Sequence, residues 1–390
     1  MSVAAHGKIA EVLTFSRRPS GNQARFQLPQ KDYTNTARGA ERSLFKEAIA
    51  EWANLTTAEK AQFSKEGGAI GLTGYSFFLK KYLTNFWNTK GTNWESLGTQ
   101  YGESKIDIIK YIANGVVLAG TYPNGKILRS TDYGATWTDL GQQGAETDVI
   151  TLCYVGNGVV LAGTAPSGKI LRSTDYGATW TDLGQQYGEA YITSIKKISD
   201  GSLLAGTALN GLILRSVDQG ETWENLGNQY GELIVMAISD LGGGIIIAGT
   251  YPNGKILRST DYGATWTDLG NQYSADFVFY SVNLGNGIAL AGTANNGKIL
   301  RTANYGATWD DIVVPGGESV IQALAYLGNG IVLAGTGVDA LIFRSVDYGL
   351  TWTATDRQFS QDYIQTLEYI GNNIVLGGTT PDALILRSTL

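Results

Sequence analysis

A tryptophan recurs at a fixed step of 43 residues along this chain, at Trp94, Trp137, Trp180, Trp223, Trp266, Trp309 and Trp352, with no insertion or deletion between them. A repeat of that period is one supersecondary unit, which cannot bury a core alone and must stack on copies of itself. An arginine series keeps the same step from Arg129 through Arg172, Arg215, Arg258, Arg301 and Arg344 to Arg387. The two series are offset at the chain ends, so the repeat region opens with the end of one unit and finishes with the start of another. Seven units of 43 residues fill residues 90–390.

Each unit reads as four short strands. In ITLCYVGNGVVLAGT, Asn157-Gly158 has the composition of a type I′ turn between two β-rich runs. Asn114-Gly115, Asp200-Gly201, Asn286-Gly287 and Asn329-Gly330 recur in phase. KILRS supplies a third strand and TWTDL a fourth. A four-stranded sheet of this kind has two unpaired edges and cannot cover both its faces. Radial packing answers both problems, and the expected fold is mainly β: a seven-bladed β-propeller over residues 90–390. Residues 385–389 are expected to pair with residues 91–97 and close the ring.

Composition narrows the functional classes. One Cys and one His among 390 residues leave no intrachain disulfide and no zinc cluster, so no metal or cofactor is expected. No run of eighteen apolar residues occurs and the N-terminus lacks the basic-then-apolar order of a secretory signal. Neither a membrane span nor export by signal peptide is expected. Residues 1–89 carry 12 Lys and Arg against 7 Asp and Glu (+5), and the remainder 17 against 28 (−11). The two parts differ in electrostatic character.

The junction between third and fourth strands reads Ser130-Thr-Asp132-Tyr-Gly134-Ala-Thr136-Trp137 and recurs around Asp175, Asp218, Asp261 and Asp347, with Asn304 in the fifth copy. This S-x-D-x-G-x-T-W string resembles the Asp-box, or BNR, repeat of sialidases, sortilin-type receptors and photosystem II assembly propellers. In that resemblance the Asp is structural: it accepts bonds from turn amides and the Thr hydroxyl, while Trp fills the space between blades. Ion-pairing within a blade, or stacking beside the Trp, is the expected role of the arginine series.

Residues 1–30 read as an extended arm carrying Arg17, Arg18 and Arg25 as candidate anchors, and residues 31–89 as a three-helix module. Phe45, Ile49 and Trp52 fall on one helical face, Thr56 and Glu59 form a capping box, and Thr73 can cap a third helix through Tyr75, Phe78, Leu79 and Tyr82. The string from Trp52 to Phe63, followed by Gly74-Tyr75-Ser-Phe-Phe78, resembles HMG boxes and, more closely, a helical module of bacteriophage and metagenomic virion-type proteins. The modest +5 charge argues against nucleic acid as partner.

A sialidase would need single arginines, a Tyr–Glu pair and an acidic Asp converging from different blades. A repeat this uniform offers few asymmetric positions for them, and the expectation is no enzyme. Binding chemistry is placed on the loops opposite the box turns. Tyr101 and Glu103, Tyr187 and Glu189, and Tyr230 and Glu232 occupy one set; Tyr122 and Asn124, and Tyr251 and Asn253, occupy the other. Tyr faces stack on sugar rings while carboxylates and amides bond hydroxyls, although duplication would copy useless turn residues equally well. The expected role is a phage virion component, such as a tail, fibre or capsid decoration, whose N-terminal module docks on other virion proteins while the propeller meets a cell-surface glycan. A BNR-type glycosidase and a cytoplasmic assembly-factor propeller are the alternatives.

Overall fold

In the computed structural model the chain divides into two compact units, residues 1–90 and residues 91–389. The structure describes the backbone of residues 13–18 and 21–26, single positions between 49 and 78, and residues 92–388 except 296, 313, 315, 316 and 356–358. In the first unit, Leu13–Arg18 and Gly21–Phe26 pair antiparallel with Arg18 opposite Gly21. Within the segment read as an extended arm, the described residues are thus two paired strands that hold Arg17, Arg18 and Arg25. Trp52 packs its ring against Tyr75 and Phe78, with centroids 5.4 and 5.3 Å away. Thr73 Oγ1 accepts the Ser76 amide at 3.1 Å, the bond of an N-cap. Phe45, Thr56, Glu59, Leu79 and Tyr82 lie outside the described residues.

The second unit is built from one antiparallel meander used repeatedly. Its first copy runs Lys105–Ala113, Val116–Tyr122, Lys126–Ser130 and Thr138–Gln142. The turn after the first strand is held by Asn114 and Gly115 at φ of 52° and 82°, the left-handed pair a two-residue hairpin requires. Asp200-Gly201 departs from this pattern. There Asp200 Oδ1 accepts the Ser202 amide at 2.8 Å and Asp200 Oδ2 pairs with Arg215 at 2.9 Å, so a side chain holds the turn instead. Most copies form separate four-stranded sheets; those starting at Tyr191 and Ile234 are joined into one sheet through Ala208 opposite Ile234.

The first strands of successive copies form a cycle. Lys105–Ala113 packs on Asp148–Gly156, and the series continues through Tyr191–Lys197, Ile234–Gly242, Val278–Gly285 and Ile321–Gly328 to Tyr363–Tyr369, which packs on Lys105–Ala113 again. The last sheet takes its outer strand from the start of the region: Glu95–Thr99 pairs with Leu384–Ser388, with Glu95 opposite Arg387. Close approach between neighbouring sheets depends on Gly120, where a Cβ would stand 2.3 Å from the Val149 carbonyl oxygen.

The core is divided into clusters, each shared by two neighbouring sheets. Trp223, for example, packs with Ile192, Leu203 and Leu214 of its own sheet and with Cys153 and Leu161 of the preceding one. The turn before it is tied by its own side chains. In the first copy Ser130 Oγ donates to Asp132 Oδ1 at 2.8 Å and accepts the Gly134 amide at 2.9 Å, while Thr136 donates its amide and hydroxyl to Asp132 at 2.9 and 2.7 Å. Asn304 keeps the amide bond, at 3.0 Å, and donates its own Nδ2 to Thr308 Oγ1. The arginine series divides: Arg215 pairs with Asp200 and Arg387 with Glu95 inside their own sheets, as expected, whereas others reach the next copy. Arg129 Nε reaches the Tyr176 carbonyl at 3.3 Å and Arg258 Nε the Tyr305 carbonyl at 2.9 Å, each in the next copy's turn.

Candidate functional site

The inner strands surround a cavity of about 690 Å³ lined from Lys105 to Glu368. A β-bulge shapes its wall. In the first copy Ile106 pairs with Thr121 and Ile108 with Gly120, leaving Asp107 as the extra residue. The same skip occurs at Ile150 and Thr193, and the step of 43 residues places Met236, Phe279, Gln322 and Gln365 in phase with them. A bulge re-aims a side chain and bends its strand. Here it sets into the channel a ring of mixed chemistry: one carboxyl, one hydroxyl, two amides and three apolar side chains. By contrast, Ile106, Val149, Ile192, Val235, Val278, Ile321 and Ile364, one position earlier, are all apolar and fully buried.

At the mouth on the loop face, charged groups from two copies meet. Lys105 Nζ lies 2.5 Å from Asp107 Oδ1 and 5.6 Å from the Tyr122 ring centroid. Asp107 Oδ2 and Asp148 Oδ1 are buried oxygens with no partner of their own. Burial and the neighbouring Asp148 charge push the Asp107 carboxyl well above the ordinary range, against the pull of Lys105. Burial raises Asp148 too. Elsewhere around the mouth, Tyr251 stacks on Phe277 at 3.9 Å and Phe277 on Phe279 at 4.8 Å, while Gln322 donates to Gln365 Oε1. The mouth therefore offers an acid pair, an ammonium, amides and an aromatic platform.

Deeper in the channel lie Lys110, Cys153, Lys196, Lys197, Tyr280 and Glu368. Lys110 Nζ bonds Glu368 Oε1 at 2.8 Å, and that carboxylate also accepts the Tyr111 amide at 3.2 Å. Lys197 donates to the Val155 carbonyl at 2.6 Å. Burial pushes the Cys153 thiol up, away from the reactive thiolate. Among the described residues no group of three or more His, Cys, Asp or Glu is placed to hold a metal ion, and no helix is long and apolar enough to cross a membrane.

The loop residues singled out from the sequence are placed differently. Glu103 is buried, with Oε2 accepting Thr121 Oγ1 at 3.0 Å and the Asn124 amide at 3.1 Å, and Oε1 accepting Asn124 Nδ2 at 2.8 Å. Glu189 with Asn210, and Glu232 with Asn253, repeat this clamp. Tyr101, Tyr187 and Tyr230 donate their hydroxyls to the carbonyls of Trp137, Trp223 and Trp266, leaving rings 44, 50 and 47% exposed. The structure joins Tyr122 and Tyr251, through Lys105 and Phe277, to the channel mouth. It does not bring the Tyr–Glu pairs together. Lys105, Asp107, Asp148 and the bulged ring were missed from the sequence, although aligning the repeats shows both positions to vary among the copies, with Gln repeated only at 322 and 365 and Tyr only at 191 and 363.

No family profile and no curated protein matches the chain in sequence. Solved structures do match it in shape. YCF48 bound to D1 peptide aligns with a TM-score of 0.62 at 17% identity, over 76% of this chain and 95% of that one. A catalytically inactive virginiamycin B lyase from Staphylococcus aureus, with quinupristin, aligns with a TM-score of 0.64 at 16% identity, over 76% and 99%. The WD40 β-propeller domain of Doa1 aligns with a TM-score of 0.60 at 15% identity, over 77% and 98%. The fold is a β-propeller. At such identities the likeness concerns fold alone, and folds host unrelated functions. It does overturn the expectation of no enzyme, because a lyase uses this same fold. The premise of that expectation fails as well: this propeller's channel is lined by unlike residues from every inner strand.

Proposed function

We propose that the chain is a seven-bladed Asp-box propeller that binds its ligand at the channel mouth, and that residues 1–89 anchor it on a bacteriophage virion for recognition of a host-surface glycan. The observation that carries the binding reading is the bulged ring: a scaffold whose buried positions repeat from copy to copy presents Asp, Ile, Thr, Met, Phe and Gln at one position that faces the channel. Aromatic faces at Phe279 and Tyr251 suit the apolar face of a sugar, while Asp148, Lys105 and the Gln322–Gln365 amides suit its hydroxyls. The opposed charges of residues 1–89 and the propeller support separate docking and display roles.

Glycan-array binding by the full chain tests the ligand, with Phe279→Ala and Asp107→Asn compared against wild type. Loss of binding in both variants, with unchanged melting, is the expected result. Binding that survives both but falls in Tyr187→Ala with Tyr230→Ala moves the site to the outer loops. Co-sedimentation with particles tests the anchor. Full-length protein is expected to join particles and residues 90–390 alone to fail; equal association of the two rejects the anchor.

A further inference from the structure

Below the mouth the channel is rich in donors and poor in acceptors. Lys110, Lys196 and Lys197 line it with one carboxylate, Glu368, which is already bonded to Lys110 Nζ and the Tyr111 amide. Lys197 is held by the Val155 carbonyl. Among the described residues the Lys196 ammonium makes no hydrogen bond or ion pair. Two residues before it on the same strand, Ser194 Oγ is buried without a partner. The acid at the lower rim, Asp240, accepts the Ser199 and Gly242 amides at 2.5 and 2.7 Å. Unmatched donors in a cavity walled by protein focus a positive field, here inside a propeller whose overall charge is negative. Ordinary scaffold lysines in this chain behave otherwise: Lys126, Lys169 and Lys255 each sit between two carboxylates.

From this we infer that the lower channel is an anion-binding site, in which Lys196 and Ser194, supported by Lys110 and Lys197, take a single carboxylate or phosphoryl group. The inference is independent of the glycan reading, since it concerns different residues and a different ligand chemistry. Although the Lys196 side chain is exposed to the channel, desolvation by the surrounding walls and then the Lys110 charge hold its ammonium below the usual lysine range. A bound anion would reverse that shift and so favour the charged form.

Isothermal titration of the full chain at low salt, with inorganic phosphate and separately with glucuronate, tests it. One saturable site per chain is expected, weakened at least about tenfold by Lys196→Gln and largely retained in Lys196→Arg. Tighter phosphate identifies a phosphoryl ligand, and tighter glucuronate a carboxylate. The inference is overturned if neither anion saturates in the millimolar range, or if Lys196→Gln binds like wild type while melting at the same temperature. Should the variant fail to fold, amine acylation of wild-type protein read by mass spectrometry still decides. Lys196 is expected to be protected several-fold by saturating anion, and an unchanged rate rejects the site.

Discussion

The outer and inner strands of this propeller treat the same repeat in opposite ways. KILRS stands unchanged at Lys126–Ser130, Lys169–Ser173 and Lys255–Ser259. The inner strands KIDIIKYIA, DVITLCYVG and YITSIKK share their buried apolar positions and little else. A side chain that packs against the next copy meets the same neighbours each time, so the same residue fits in every copy. A side chain facing the channel has no such repeated partner. In a ring of duplicated units, repetition therefore marks scaffold, and its local failure marks where a site can be built.

That contrast can be broken most severely at the closure. Deleting residues 385–390 removes the partner of Glu95–Thr99 and exposes sheet edges; loss of a cooperative melt and aggregation in light scattering are expected. A truncated chain that stays monomeric with an unchanged Tm would show that the ring does not depend on this strand. Next in size, Trp352→Ala opens a hole between sheets where the indole is buried and donates Nε1 to the Gly349 carbonyl at 3.1 Å. Chemical denaturation should report a loss of about 3–5 kcal/mol. A loss under about 1 kcal/mol would place the tryptophans outside the scaffold.

Two pH limbs sharpen the comparison. Burial alone would raise Asp175 and Asp218, but the Thr and Ser bonds of their turns hold both at about 2. A depressed acid contributes stability that is present above its ordinary value of 3.8 and is lost as pH falls toward about 2. Asp175→Asn should keep the turn, as Asn304 does, and flatten that acid limb at a cost of about 1 kcal/mol or less at neutral pH. In the channel the sign reverses. Asp107, raised by burial and by Asp148, contributes stability below the ordinary Asp value that is lost as pH rises through its elevated one. Stability of Asp107→Asn should no longer decline along that limb; a persistent decline assigns it to another group. The smallest effect belongs to the exposed rings: Tyr187→Ala should change stability by no more than about 1 kcal/mol.

Periodicity made the fold legible because hydrophobic spacing and turn chemistry act over a few residues and are copied with them. Asn-Gly turns, the Thr73 cap and the tied Asp turns are local devices of this kind. The site was less legible. Glu103 and Tyr101 carry lectin-like chemistry in sequence, yet one closes a loop within its blade and the other latches a neighbouring tryptophan carbonyl. Which groups a side chain meets across 36 residues cannot be read from its own surroundings.

The sequence by itself determined the unit, its count of strands and the need for copies to cover one another, since a four-stranded sheet has no other way to bury both faces. Only the tertiary structure decided that one residue per inner strand is bulged into a common channel. Strict alternation would give Lys105, Asp107 and Ile109 one face, whereas the bulge at Asp107 leaves Ile106 and Ile109 together in the core. Closing the ring then brings Asp107 beside Asp148, and Lys110 beside Glu368, residues far apart in the chain. Their shifted proton equilibria arise from burial and from charges on neighbouring strands, and neither exists until the ring has closed.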